Sequence, residues 1–158
     1  MACIEEEIGA ILRNKGLTLG TVESATGGMI ASRIIDIAGS SDYFKGSVVS
    51  YANETKMKVV GVKKATLEKY GAVSEQVAEQ MAVGGRKLLN VDICVSDTGI
   101  AGPGGATPGK EVGLFYLGLA CQTGVFNRKH IFTGTRAQNR QAAAQAALEW
   151  VREYLAGI

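Results

Sequence analysis

Both prolines of the chain and five of its 21 glycines fall in one stretch, Thr98-Gly99-Ile100-Ala101-Gly102-Pro103-Gly104-Gly105-Ala106-Thr107-Pro108-Gly109. The stretch follows Val91–Val95, an apolar run that reads as a buried strand. Glycines clustered after a strand let the backbone approach a ligand closely and aim its N–H groups at it. Such a loop suits an anion or a developing oxyanion. The plain alternative is a mobile surface loop, and the prolines argue against it because they stiffen the segment.

The elements around this loop alternate in type. Ile4, Ile8, Ile11 and Leu12 follow a helical period that Gly16 stops. Residues 17–22 read as a strand, 23–28 as a turn into a helix ending near Ile37, and 44–52 as a second strand. Asn53 can cap a short helix through Val60, another follows over 62–70, and Ser74 caps a longer one to Leu89. Residues 112–121 and 125–132 form a hairpin pattern around Gln122-Thr123-Gly124. In the last helix Ala143, Ala146, Ala147, Trp150, Val151, Tyr154 and Leu155 share a face. Interleaved helices and strands with one antiparallel hairpin predict a single-domain, three-layer α/β/α sandwich with a mixed sheet. Ligands bind such sheets at strand C-terminal ends, which singles out the loops 23–28, 53–56 and 98–109.

A length of 158 residues suits one domain, with 46% hydrophobic and 20% charged residues. A net charge of +2, few aromatic residues and no long basic run argue against a nucleic-acid partner. Three scattered cysteines and one histidine, His130, disfavour a zinc site and leave a Cys–His pair only as a remote alternative. No apolar stretch is long enough to span a bilayer, and Glu5-Glu6-Glu7 interrupts any leader-like start, so a cytoplasmic protein is expected. The alanine-rich helix faces are compatible with a homodimer or a higher homo-oligomer.

Four groups of residues can carry chemistry. Ser24 and Thr26, ahead of Gly27-Gly28 at a helix start, suit a phosphate or carboxylate, or simply cap the helix. Lys56 takes the third helical position if Asn53 is the cap. There the electropositive helix end disfavours an ammonium, and a desolvated amine becomes a general base. Tyr51, at the end of the preceding strand, is placed to share a proton with it; the alternative is a solvated lysine beside a half-buried tyrosine. Ser41, in Gly39-Ser40-Ser41-Asp42, can be a nucleophile with a lysine base or a loop-capping residue. Arg136 and Arg140 share a helix face at i, i+4 and can grip a phosphate.

Taken together, Glu23-Ser24-Ala25-Thr26-Gly27-Gly28, Gly39-Ser40-Ser41, the segment Gly46–Lys56, Gly71-Ala72-Val73-Ser74, Thr98–Gly105 and the arginine-led last helix resemble the CinA C-terminal domain family over nearly the whole chain. That family includes stand-alone nicotinamide-nucleotide amidases. The resemblance implies hydrolysis of the carboxamide of nicotinamide mononucleotide to nicotinate mononucleotide and ammonia, in pyridine nucleotide recycling. It implies a Ser/Lys-type mechanism without metal or cofactor and a small-molecule nucleotide as partner. Carried over by motif, Ser41 is the nucleophile, Lys56 the base, Tyr51 its proton partner and Ser24 a second essential hydroxyl, with Ser24 as the alternative nucleophile. Thr26, Gly27, Thr98, Gly99, Gly102, Gly104 and Gly105 bind substrate or oxyanion, and Arg136 or Arg140 takes the phosphate. The family often has cysteine where Ala25 stands. Its larger members carry an additional N-terminal domain related to molybdopterin-binding proteins, for which 158 residues leave no room. A catalytically silent nucleotide-binding or regulatory module of the same fold is the competing expectation.

Overall fold

The computed structural model describes residues 1–158. The elements run α1 (Ile4–Lys15), β1 (Leu19–Glu23), α2 (Met29–Ile35), a 3-10 turn (Ser40–Asp42), β2 (Phe44–Val49), α3 (Asn53–Val60), α4 (Lys64–Tyr70), α5 (Glu75–Leu89), β3 (Ile93–Gly99), β4 (Leu114–Cys121), β5 (Gly124–Ile131) and α6 (Arg136–Ala156). One five-stranded sheet has the order β2-β1-β3-β4-β5. β1 pairs in parallel with β2 and β3, while β3–β4 and β4–β5 are antiparallel. This is the expected mixed sheet in an α/β sandwich.

The alternation of strand side chains builds two cores. Leu19 on β1, Ile93 and Val95 on β3, and Leu117 and Leu119 on β4 pack with Ile8, Leu12, Ile30, Ile34, Leu148 and Val151 of α1, α2 and α6. Val22 and Cys94 face the opposite way and pack with Val60, Val77 and Met81 of α3 and α5. Helix α5 lies close against the sheet because Gly85 leaves room for Val22 and Cys94; an added Cβ would sit 2.2 Å from Val22 Cγ2.

Two boundaries differ from expectation in ways that matter for the site. Strand β3 continues past Val95 to Gly99, so Ser96, Asp97 and Thr98 are strand residues, each at most 1% exposed. Polar side chains hid the strand, because their hydrogen bonds are made to distant segments rather than to water. At α3 the cap is Ala52, not Asn53, and the Ala52 carbonyl accepts the Lys56 N–H at 3.0 Å. Lys56 is therefore the fourth helical residue, one place beyond the position the cap assignment implied.

Candidate active site

The parallel strands β1 and β3 end side by side, and β2 ends beside β1. Around these C-terminal edges lies a cavity of about 300 Å³, lined by Ser24, Ala25, Tyr51, Asn53, Lys56, Ala72, Val73, Thr98, Gly99, Ile100, Ala101, Gly102, Gly104, Gly105 and Arg136. A larger cleft, about 590 Å³, sits at the other end of the sheet near Asn90, Asp92 and Cys121, and brings together no comparable set of reactive groups.

Lys56 is the centre of the smaller cavity. Side chains on a helix lean toward its N-terminus, so the amine folds back over the start of α3. It is 1% exposed, and it donates to Ser24 Oγ at 2.9 Å, to the Ser50 carbonyl at 2.7 Å and to the Tyr51 carbonyl at 3.0 Å. Three N–H donors meet three acceptors. Burial pushes its pKa down to about 8, and the nearby Asp97 works in the opposite direction. The lysine is depressed by desolvation, with no contribution needed from the helix end.

Ser24 follows β1 directly and is 7% exposed. Its own N–H donates to Asp97 Oδ1 at 3.0 Å, which fixes the first residue of the turn. The N–H groups of Ala25, Ala101, Gly102, Gly104 and Gly105 have no acceptor within the protein, and all five residues line the cavity. Ala25 immediately follows Ser24, so its N–H is a donor that acyl-transfer chemistry on Ser24 can use for an oxyanion. The glycine loop is held from behind. Asn139 Nδ2 donates to the Ala101 carbonyl at 3.0 Å, Arg136 Nη1 donates to the Gly102 carbonyl at 2.9 Å, and Thr98 Oγ1 donates to the Ala72 carbonyl at 2.8 Å.

Beneath the turn two carboxyls are wholly buried. Glu23 accepts the N–H groups of Gly28 (3.0 Å), Ile30 (2.9 Å) and Ala31 (3.0 Å), and so caps α2 from the end of β1. Asp97 accepts from the backbone of Ser24 and Thr26, and Thr26 Oγ1 stands between both carboxyls.

Several expected site residues lie elsewhere. Ser41 is exposed in the 3-10 turn before β2, whereas Ser24 follows the far end of β1, the parallel neighbour of β2. The six residues of β2 separate those edges by about 20 Å at strand rise, too far for Lys56 to serve Ser41. Tyr51 offers Lys56 its carbonyl and not its phenol, and its side chain, 66% exposed, stands at the cavity lip. Thr26 points down to the two carboxyls, and neither it nor Gly27 lines the cavity. Arg140 donates to the Ala25 carbonyl at 2.8 Å and the Thr26 carbonyl at 3.2 Å, so it braces the turn, whereas Arg136 reaches the cavity. His130 stacks on Phe132, ring centroids 5.5 Å apart, and meets no cysteine.

The residues missed by reading along the chain are Asp97, the carboxylate of Glu23, the Ala25 N–H, the Ser50 carbonyl and Asn139. A signal existed for Glu23 alone: it continues the every-second-residue phase of Leu19 and Thr21, so it had to point inward. No group of three His, Cys, Asp or Glu side chains converges to hold a metal ion, and no helix is long and apolar enough to cross a membrane.

Comparison with known proteins identifies the family and the fold. The model of the CinA C-terminal domain matches residues 1–155. A protein of Clostridium kluyveri named for competence-damage induction is 49% identical over 152 residues, covering 96% of this chain and 37% of that protein. The chain thus spans little more than a third of the curated relatives it matches. Two solved structures are alike throughout. A CinA superfamily protein from Klebsiella pneumoniae has a TM-score of 0.94, 28% identity and coverage of 98% of this chain and 97% of its own. The competence/damage inducible protein CihA from Agrobacterium tumefaciens has a TM-score of 0.88, 38% identity and coverage of 96% and 97%. The chain belongs to the CinA C-terminal domain family.

Proposed function

We propose that this member of the CinA C-terminal domain family hydrolyses the carboxamide of nicotinamide mononucleotide, with Ser24 as nucleophile and Lys56 as its base. The observation that carries this reading is the 2.9 Å contact between Lys56 Nζ and Ser24 Oγ, made while the same amine is tied to two backbone carbonyls. A neutral amine has two N–H donors and one lone pair. The Ser50 and Tyr51 carbonyls take the donors, and the lone pair is left for the serine hydroxyl.

The steps follow from that arrangement. Ser24 Oγ bonds to the carboxamide carbon as its proton passes to Lys56. The carbonyl electron pair moves onto oxygen, where the Ala25 N–H and the glycine-loop N–H groups receive it. The lysine ammonium then gives its proton to the amide nitrogen, the C–N bond breaks, and ammonia leaves an acyl ester on Ser24. A water repeats the sequence: its proton goes to Lys56, its oxygen bonds to the acyl carbon, and Ser24 recovers its proton as nicotinate mononucleotide departs. The nucleotide's phosphate suits Arg136. Tyr51 at the lip offers a face to the pyridine ring.

Ammonia release from nicotinamide mononucleotide, measured beside ligand-induced thermal stabilisation, tests the reading. Release that follows substrate concentration supports it. Stabilisation without ammonia contradicts it and points to a silent nucleotide-binding module.

A further inference from the structure

Thr26 Oγ1 is 2.7 Å from Glu23 Oε1 and makes a shorter bond to Asp97 Oδ1. One hydroxyl has one proton, so both contacts are satisfied only while a carboxyl supplies a second. Glu23 accepts three N–H groups at the start of α2, and its second oxygen lies in a cluster with the hydroxyls of Thr21 and Ser47. Of the two, Asp97 is the carboxyl that burial favours in its protonated form, its pKa pushed up to about 6 with the charge of Glu23 adding to the rise. When that proton leaves, the Thr26 hydroxyl can turn to Asp97, because Glu23 keeps its backbone donors. A negative charge then lies against the N–H of Ser24, the residue whose hydroxyl meets Lys56.

The other charged groups around Asp97 are few. Glu23 comes from β1, Lys56 from α3, and Arg140 from α6 through the Ala25 and Thr26 carbonyls. Strand β4 places Leu117 opposite Asp97, and α2 turns its one charged residue, Arg33, to Glu5.

We propose that Asp97 is a positioning residue: its buried carboxylate holds the Ser24–Thr26 turn against the Lys56 amine and supplies that amine with a counter-charge. A lysine buried with no counter-charge would bind a proton too weakly to draw it from the serine hydroxyl. With Asp97 nearby, the amine titrates close to neutrality, where one group can both accept and give back a proton. The catalytic consequence rests on the amidase reading; the effect on the amine does not.

The test is Asp97→Asn in the full chain, with the Lys56 titration followed by carbon-13 NMR of labelled lysine and its signal assigned through Lys56→Met. The expected result is a midpoint about one pH unit below wild type, with the acid limb of kcat/KM displaced in the same direction. An unmoved midpoint in a folded variant would overturn the proposal and leave Asp97 a purely structural role. If Asp97→Asn does not unfold cooperatively, the equally neutral Asp97→Ser serves for the same measurement. A wild type that releases no ammonia but shows the displaced midpoint counts against the amidase reading alone.

Discussion

Lys56 and Ser24, 32 positions apart in the chain, meet at 2.9 Å because α3 begins where the parallel strands β1 and β2 end together. The amine is buried against carbonyls at the one place where a serine, a free N–H and a glycine-rich loop converge. Each element of the site is fixed by a nearby regular structure rather than by the loop itself.

The lowered proton affinity of Lys56 sets the pH dependence. Its pKa of about 8 means that the neutral, base-competent form grows as pH rises through that value. Activity in kcat/KM should therefore climb on an acid limb centred near 8 and level off above it. Initial rates at sub-saturating substrate from pH 6 to 10 would show the limb. A profile flat across that range would remove Lys56 as the titrating base.

The same displacement affects stability. Lys56 is lowered from its ordinary 10.5 to about 8, so folding favours the neutral amine. The contribution is fully present above the unfolded value and is lost as pH falls through the folded one. Wild type should thus gain stability relative to Lys56→Met as pH rises from about 7 to 10, by up to roughly 3 kcal/mol. Urea unfolding of both proteins at the two pH values would read the difference, and a constant gap would contradict the buried, depressed amine.

The two arginines of α6 should behave differently. Arg136 lines the cavity, and Arg136→Ala should raise KM for a phosphorylated substrate roughly 10- to 100-fold while leaving that for the unphosphorylated riboside little changed. Arg140→Ala removes the donor to the Ala25 and Thr26 carbonyls, and should lower kcat and the melting temperature with little change in KM. Equal KM effects from both would mean that the phosphate is held elsewhere.

Much of this fold is written along the chain. The periodicities of α1 and α6, the β4–β5 hairpin and the Ser74 cap needed only local rules. Lys56 and the glycine loop were also legible, because a lysine near a helix start and glycines after a strand have local physical meaning. Along the chain Ser41 reads as the nucleophile and Ser24 only as its alternative, since two serines in two glycine-containing turns look alike in one dimension. They separate only when parallel pairing puts the end of β1 and the start of β2 at opposite edges of the sheet. Asp97 was invisible for a related reason: a carboxylate inside a strand reads as an interruption until the backbone N–H groups it accepts come from 73 and 71 residues away.

The close contact of α5 with the end of α3 makes a separate prediction. A Cβ at Gly84 would lie 1.7 Å from the Val60 carbonyl oxygen, whereas one at Gly104 meets nothing within 4 Å. Gly84→Ala should destabilise by about 1–3 kcal/mol and displace the helix that carries Lys56. Gly104→Ala should leave the melting temperature within a degree or two of wild type. Thermal unfolding of the pair checks both.

The assignment of the nucleophile is tested most directly by ammonia release from nicotinamide mononucleotide with Ser24→Ala and Ser41→Ala measured side by side. Ser24→Ala should lose roughly 10³-fold or more of the turnover, and Ser41→Ala should stay within about twofold of wild type. Retained activity in Ser24→Ala, or its loss in Ser41→Ala with the fold intact, would contradict the pairing of Lys56 with Ser24.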